Sequence, residues 1–519
     1  MSAAAAPPDR VRRTSLPAWL VLLLAPAAGG LVTLSLAPFH LWPAAILACA
    51  LYALLLASCS ARQALWRGWL FGAGLFGSGA SWVYVSIHVY GDAGVPLALA
   101  LTVLFCAGLA LLHTLQAWLY VRFLRPLPGG MLLGFAALWV LGEWLRSWLL
   151  TGFPWLYLGY SQIDTWLAGW APITGVFGLS FGVAFSGSCL FLAWRGRQVA
   201  MLVSYGGLLA SLWIGGLMLR PIEWVAPASE APLRVALYQP NIPLEEKWRP
   251  GAYGGILRQY ERALVPLLDR DLILWPESAI PRVYDQARGF LDPVAARVAR
   301  GDGTLITGIP TRNAEQQYFN SIIALGQGGG LYRKQRLVPF GEYVPLEQWL
   351  RGLIAFFDLP MSHFSAGEAG QPPLRAGNHR VAPLICYEVV YPGLAARSAR
   401  DAELLVTISN DSWFGRSIGP LQHLQMARMR ALENGRFMLR GTNNGVSAII
   451  DHRGRIVART EQFVETTLTG RAQVMLGHTP FTSFGSTPLL AALLLLLAAM
   501  SLLYRTLWRN VSARAGHSR

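Results

Sequence analysis

Charge is scarce in this chain. Only 14% of its 519 residues are charged, against 54% hydrophobic. Soluble domains carry roughly 25% charge, so much of the chain is expected to sit in lipid. Lysine is scarcer still: of 43 basic residues only Lys247 and Lys334 are not arginine. A chain that uses arginine almost everywhere keeps lysine where a compact ammonium serves and a broad, planar guanidinium does not. Of the five cysteines, Cys49, Cys59, Cys106 and Cys189 lie in apolar stretches, and Cys386 alone lies in more polar surroundings. There is no Cys/His cluster at metal-ligand spacing and no glycine loop of the kind that cradles phosphate, so no cofactor is expected. No basic stripe with interleaved aromatics is present, which sets nucleic acid aside. Internal repeats and low-complexity linkers are also missing.

The positive charge is unevenly placed. Residues 222–480 carry 28 basic and 24 acidic residues, while the rest carry 15 and 4. The excess therefore belongs to the apolar part, where it orients spans in a membrane. Runs of about 20 apolar residues suit a bilayer core; they lie near 17–36, 41–59, 68–87, 94–121, 131–149, 170–194, 200–219 and 488–507, about eight spans. Arg62, Arg67, Arg122, Arg125, Arg195 and the arginines of both termini fall on one side of such an arrangement. Arg220, at the outer end of the seventh span, is the exception. With positive charge inside, both termini are expected in the cytoplasm and residues 222–480 outside. The aromatic outer loop 151–161, with Trp155, reads first as an interfacial belt and second as a substrate contact. The expected division is 1–221 for seven spans, 222–480 for a soluble domain, and 481–519 for the last span and a tail.

Residues 222–480 alternate strand and helix. Strands are expected at 233–240, 272–277, 304–309, 321–325, 381–386, 403–410, 446–450 and 455–458. Helices are expected at 255–268, 292–300 and 421–434. This is an α/β layered domain with helices covering a sheet. Three polar residues sit at the ends of its apolar strands or in adjoining turns: Glu277 after Leu-Ile-Leu-Trp-Pro, Lys334 in Tyr-Arg-Lys, and Cys386 after Pro-Leu-Ile. Each has a bland reading, as a cap, a surface charge or a small buried hydrophobe. Together they have a chemistry. A thiol needs a base or a nearby cation to become nucleophilic, a carboxylate can take and return its proton, and an ammonium can lower its pKa and stabilise an oxyanion. No histidine lies beside Cys386 in sequence, so a Cys-His pair has no local support.

The ordered motifs Trp275-Pro-Glu277, Tyr332-Arg-Lys334, Pro339-Phe-Gly-Glu342, Ile385-Cys-Tyr-Glu388 and Asn410-Asp-Ser-Trp-Phe-Gly415 resemble the nitrilase (carbon–nitrogen hydrolase) superfamily. Seven spans before that domain and one after it resemble the apolipoprotein N-acyltransferase family of Gram-negative bacteria. The resemblance implies a four-layer α-β-β-α nitrilase-like sandwich joined to a membrane α-helical bundle. By that resemblance Glu277 would be general base, Lys334 oxyanion stabiliser and Cys386 nucleophile, with Glu342, Tyr387 and Glu388 supporting them. It implies an acyl chain moved from a phospholipid, phosphatidylethanolamine being the expected donor, through a Cys386 thioester to the α-amino group of a diacylated apolipoprotein. Implied with it are a bacterial inner membrane, a periplasmic catalytic domain, no cofactor, and nothing beyond a monomer. Trp155, Phe356, Phe357, Phe364 and Trp413 are the expected substrate contacts. The apolar stretch 353–364 reads either as core or as a lid that admits acyl chains. Two other readings stay open: a tethered amidase acting on a small soluble substrate, and a transporter, for which Glu143 and Arg146 are the main ionisable residues inside a span.

Overall fold

The computed structural model describes residues 16–516 except 197, 230, 250 and 344–363. Five helices are long and apolar enough to cross a bilayer: Ala18–Ser35, Val95–Leu124, Trp166–Gly196, Val199–Leu219 and Thr487–Thr506. The pair Ala61–Gly79 and Val83–Tyr90, bent by 60°, is long and apolar enough only when taken together, as a broken span or a re-entrant loop. The two remaining expected spans are shorter helices. Pro43–Ala57 has 15 residues, about 22 Å at 1.5 Å per residue, and Phe135–Arg146 follows a single π turn over Gly130–Gly134. Each expected span thus has a helix, but two fall short of a full bilayer core.

The rest of the described chain forms two six-stranded sheets and a small ribbon. The ribbon pairs β1 (Ala226–Pro227) with β14 (Met475–Leu476). The first sheet contains β2 (Leu233–Gln239), β3 (Leu272–Leu274), β4 (Thr304–Arg312), β5 (Tyr318–Gly326), β6 (Leu331–Arg333) and β13 (Thr466–Ala472), in the order β13-β2-β3-β4-β5-β6. The second contains β7 (Leu374–Ala376), β8 (His379–Ile385), β9 (Leu404–Ser409), β10 (Met438–Thr442), β11 (Ala448–Ile450) and β12 (Ile456–Arg459), in the order β12-β11-β10-β9-β8-β7. Each has three central parallel strands, β2-β3-β4 and β8-β9-β10, with antiparallel strands outside them.

Side-chain alternation explains the layering. Val235 and Leu237 of β2 face Val381, Ile385, Val406 and Ile408 of the other sheet in one dry core. Their neighbours Ala236 and Tyr238 pack outward on helices Tyr253–Leu264 and Tyr284–Arg300. On the far side, Ala382, Leu384 and Leu405 pack on helices Pro392–Arg400 and Gly419–Asn434. With a period of two, every central strand is buried on both faces, and the result is an α-β-β-α stack. The apolar core of the outer helix layer runs on without a break into the helical bundle.

The join is polar as well as apolar. Trp166–Gly196 breaks at Gly175, φ 65°, where Phe481 fills the space a Cβ would need. The break frees the Val176 N–H, which donates to Glu433 Oε1 of helix Gly419–Asn434 at 2.7 Å. Arg430 Nη2 also donates to Glu433 Oε1, at 2.9 Å. The Gln425 carboxamide oxygen accepts from the Ala37 N–H, and its nitrogen donates to the Tyr160 carbonyl, both at 3.0 Å. The outer loop 151–161 corrects the belt reading. Trp155, Leu156, Tyr157, Leu158 and Tyr160 are all buried, because the loop is clamped between the bundle and the sandwich instead of lying along a lipid surface. Glu143 and Arg146 hold it from below. Glu143 Oε1 accepts from Leu158 N–H at 2.9 Å, and the Arg146 guanidinium lies 5.1 Å from the Tyr157 ring centre. Their burial has a local structural cause, which removes the sequence feature behind the transporter reading.

Candidate active site

Two chain segments leave the sheets at the C-terminal ends of parallel strands, where α/β sheets present their ligands, and a third joins them from the edge strand β6. After β3 the chain runs through Trp275-Pro276 to Glu277. After β8 it turns at Cys386, φ 49°, into a 3-10 turn Cys386–Val390. Left-handed backbone at a residue with a side chain costs about 1–3 kcal/mol, and Glu388 restrains it here. Its Oε2 accepts from the Ile385 N–H at 2.8 Å, while Oε1 accepts from Gln335 N–H at 2.7 Å and Tyr332 O–H at 2.9 Å. The Glu388 carboxylate therefore ties the Cys386 turn to the segment that carries Lys334. Burial pushes its carboxyl up to about 7. Against that, all its partners are donors, which favours the ionised form.

Lys334 follows β6 and is buried. Its Nζ lies 2.8 Å from Glu342 Oε2 and 3.7 Å from Glu277 Oε1. Asn320, on β5, donates to Glu277 Oε1 at 2.7 Å and to Glu342 Oε1 at 2.8 Å. The Asn410 N–H donates to Glu277 Oε2 at 2.8 Å across the two sheets. Glu277 approaches so closely that a Cβ at Gly308 would stand 2.7 Å from its Cα. Burial alone would lower the Lys334 pKa, but Glu342, Glu277 and Cys386 outweigh it and hold the ammonium charged. For Cys386 the balance is the reverse. Burial and Glu277 raise its thiol, and Lys334 and Ser409 oppose them without prevailing. The expected lowering by an ammonium is present but is the smaller effect, so the resting group is a thiol.

Beneath Cys386 lies a network that sequence reasoning missed. Ser409 Oγ is 3.3 Å from Cys386 Sγ and donates to Asp411 Oδ1 at 2.6 Å. Arg440 Nη2 donates to Asp411 Oδ2 at 2.7 Å and lies 3.1 Å from His423 Nδ1. His423 Nε2 lies 3.1 Å from the Cys386 carbonyl oxygen. The carbonyl can only accept, so Nε2 carries a proton; Nδ1 lies 3.1 Å from the Arg440 donor and 3.4 Å from Asp411 Oδ1, and the shorter contact, to a donor, favours the neutral ring. Burial and then Arg440 both lower its pKa. Burial would raise the Asp411 carboxyl, but the Arg440 guanidinium and the Ser409 hydroxyl hold it well below the usual range. The histidine thus reaches the Cys386 backbone, not its sulfur. Asn320, His423 and Arg440 lie in helix or strand segments whose pattern accounts for them locally. The only signal was a polar residue at a strand position that should be dry.

Lys247, the other lysine, is buried and donates to the Glu277 carbonyl at 3.0 Å. Burial lowers its pKa to about 8. Tyr387 donates to the Gly152 carbonyl at 3.0 Å, and Tyr391 to that of Thr151 at 3.0 Å. Of the expected substrate contacts, Trp155 is fully enclosed, with Nε1 donating to Gln422 Oε1 at 2.6 Å and its ring on His423. It is packing beneath the turn and offers no surface to a ligand, which corrects the substrate reading. Trp413 is half-buried against Tyr90, with its carbonyl accepting from Ser86 Oγ at 2.7 Å. Phe364 is half-buried, and its N–H donates to the Glu342 carbonyl at 3.0 Å. Phe356 and Phe357 lie outside the described residues. Among the described residues no cluster of His, Cys, Asp and Glu could hold a metal ion.

Two family models match: apolipoprotein N-acyltransferase N-terminal domain over residues 28–189, and carbon-nitrogen hydrolase over 234–479. The chain is 49% identical to the apolipoprotein N-acyltransferase of Pseudomonas aeruginosa, over 94% of this chain and 98% of that one. It is 49% identical to that of Azotobacter vinelandii, over 94% and 96%, and 40% identical to that of Vibrio parahaemolyticus, over 90% and 94%. Among solved structures, a nitrilase superfamily member from Saccharomyces cerevisiae matches with a TM-score of 0.35 and 21% identity, over 49% of this chain and 92% of that one. The chain is a multi-pass membrane acyltransferase with a nitrilase-like domain, and it belongs to the apolipoprotein N-acyltransferase family.

Proposed function

We propose that this enzyme moves a fatty acyl chain from a phospholipid to the N-terminal α-amino group of a diacylated apolipoprotein, as the last step of that protein's maturation. In the first half-reaction Glu277 takes the Cys386 thiol proton as sulfur attacks the ester carbonyl carbon. The oxyanion forms beside the Lys334 ammonium. Collapse breaks the carbon–oxygen bond, Glu277 returns its proton to the departing alkoxide, and a lysophospholipid leaves a Cys386 thioester. In the second half the neutral α-amine attacks the thioester, Glu277 takes the N–H proton, and the thiol is restored as the amide forms. Glu342 and Asn320 hold the ammonium and carboxylate in register. The ester supplies the driving energy, and both steps use one site, which provides proximity.

The observation that carries this reading is the convergence of Glu277, Lys334 and Cys386 at one pair of sheet ends. The continuous apolar seam joining the sandwich to the bundle supports it further, because a site tied to the spans would stay near the bilayer that carries both lipid substrates. The proposed division is 1–221, 222–480 and 481–519, with the middle part periplasmic and both termini cytoplasmic. Phe364, Trp413 and, on sequence alone, Phe356 and Phe357 are proposed acyl-chain contacts. The test is acyl transfer from phosphatidylethanolamine to a synthetic peptide headed by diacylglyceryl-cysteine, read by mass. One acyl group added to the peptide by wild type and none by Cys386→Ala is expected. Turnover of small soluble amides without transfer to the peptide would instead favour the tethered amidase.

A further inference from the structure

Arg220 breaks the charge rule that places the other loop arginines, and neither the fold nor the reaction uses it. It follows helix Val199–Leu219, whose apolar window is only 6% buried inside the protein, so that helix faces lipid along most of its length. At its end opens a cleft between the bundle and the sandwich, lined by residues of both and by none of Glu277, Lys334 or Cys386. Leu219 and Ile222 form apolar wall; Arg220, Trp224, His452 and Arg455 supply the polar part. The acidic side chains there are already engaged. Glu223 pairs with Arg453 and with His452 Nε2, and Asp164 pairs with Arg428. Among the described residues, the Arg220 and Arg455 guanidiniums have neither a carboxylate nor a hydrogen-bond partner.

An arginine at a span end can simply reach for interfacial water, and Arg220 alone would need no more than that. One further atom argues otherwise. Trp224 Nε1, which can only donate, is buried without a hydrogen-bond partner, and its residue lines the same cleft. A buried donor left unpaired is costly, so the wall is built for an acceptor that enters. The acceptor must be anionic, to answer two free guanidiniums, and amphiphilic, because the cleft opens onto an apolar helix face at its mouth. We infer that this cleft is a glycerophospholipid site separate from the Cys386 centre. The phosphodiester would be held by Arg220, Arg455 and Trp224, with the acyl chains lying along helix Val199–Leu219. The diglyceride part of a lipoprotein carries no phosphate and would not satisfy those donors. The inference needs the chain to sit in a bilayer; it does not need Cys386 to accept an acyl group.

The test uses the full chain in lipid nanodiscs, as Cys386→Ala so that no acyl transfer intervenes. The probe is a phosphatidylglycerol bearing a diazirine on its headgroup, and crosslinks are mapped by peptide mass. Crosslinks are expected in the peptides holding residues 219–225 and 452–455. They should be competed by phosphatidylglycerol but not by diacylglycerol or inorganic phosphate, and should fall at least tenfold in R220Q/R455Q. R220K/R455K, with its charges kept, should retain most of the yield and so control for folding. Unchanged labelling of those peptides in R220Q/R455Q would overturn the proposal. Equal competition by diacylglycerol would reduce the site to greasy adherence, and competition by inorganic phosphate alone would make it an anion site with no lipid role.

Discussion

Cys386 is poised as a thiol. It is part-exposed, and burial together with Glu277 lifts its pKa above the ordinary range. The Glu277 carboxylate thus both suppresses the resting thiolate and, in the proposed mechanism, removes the proton when a carbonyl arrives. These two effects can be separated by experiment. Alkylation by iodoacetamide should be slow at pH 7 and rise about tenfold per pH unit through pH 9, since only the thiolate reacts. A neighbouring like charge is worth about a pKa unit or more, so Glu277→Gln should alkylate roughly tenfold faster at pH 8 while losing acyl transfer. Equal or slower alkylation would contradict the assigned balance. The buried Asp411–Arg440 pair makes a second residue-scale prediction. Removing one partner strands a buried charge at a cost of about 3–5 kcal/mol, whereas replacing both removes the charge altogether. Arg440→Met should therefore lower the unfolding temperature more than Asp411→Asn/Arg440→Met, and the reverse order in thermal scans would show the pair to be idle. The Asp411 pKa is depressed in the folded state. Its stabilisation is therefore complete above the unfolded value of about 3.9 and is lost only as pH falls further, through the folded pKa.

Elements place these residues by close approach. The β4 strand can pass under Glu277 only because residue 308 is glycine, and Gly308→Ala should displace Glu277 and depress acyl transfer far more than thermal stability; a fully active variant would show that the strand can yield. At the seam, the break at Gly175 leaves one N–H that Glu433 satisfies from the other part of the protein. Glu433→Ala should cost about 1–3 kcal/mol in unfolding experiments in detergent, and Glu433→Gln, which keeps an acceptor, should cost less. The elements themselves were largely legible in the sequence. Apolar runs of bilayer length and strands of alternating facing announce themselves through periodicity, and the residues ending those strands were visible because polar side chains interrupt apolar runs. What failed was local context. The helix expected at 292–300 begins at Tyr284, because Asp285, Arg288 and Gly289 hide an amphipathic face whose partner sheet is remote in sequence. The loop 151–161 reads as an interfacial belt because indole and phenol suit membrane surfaces as well as they suit a buried seam.

At the scale of the whole molecule, the sandwich and the bundle share one continuous apolar core, and the turn at Cys386 is tied to the bundle loop through Tyr387 and Tyr391. Such contacts join residues more than 200 positions apart and leave no periodic trace, so sequence motifs could propose Glu277, Lys334 and Cys386 but not the Asn320, His423 and Arg440 scaffold around them. The site is thereby fastened to the helical bundle. The most direct measurement of the central claim is the intact mass of the purified protein after incubation with phosphatidylethanolamine and no acceptor. The account predicts one added acyl group on wild type, released by hydroxylamine and absent from Cys386→Ala. A well-folded wild-type protein that gains no acyl mass, or a Cys386→Ala protein that gains the same adduct, would contradict it.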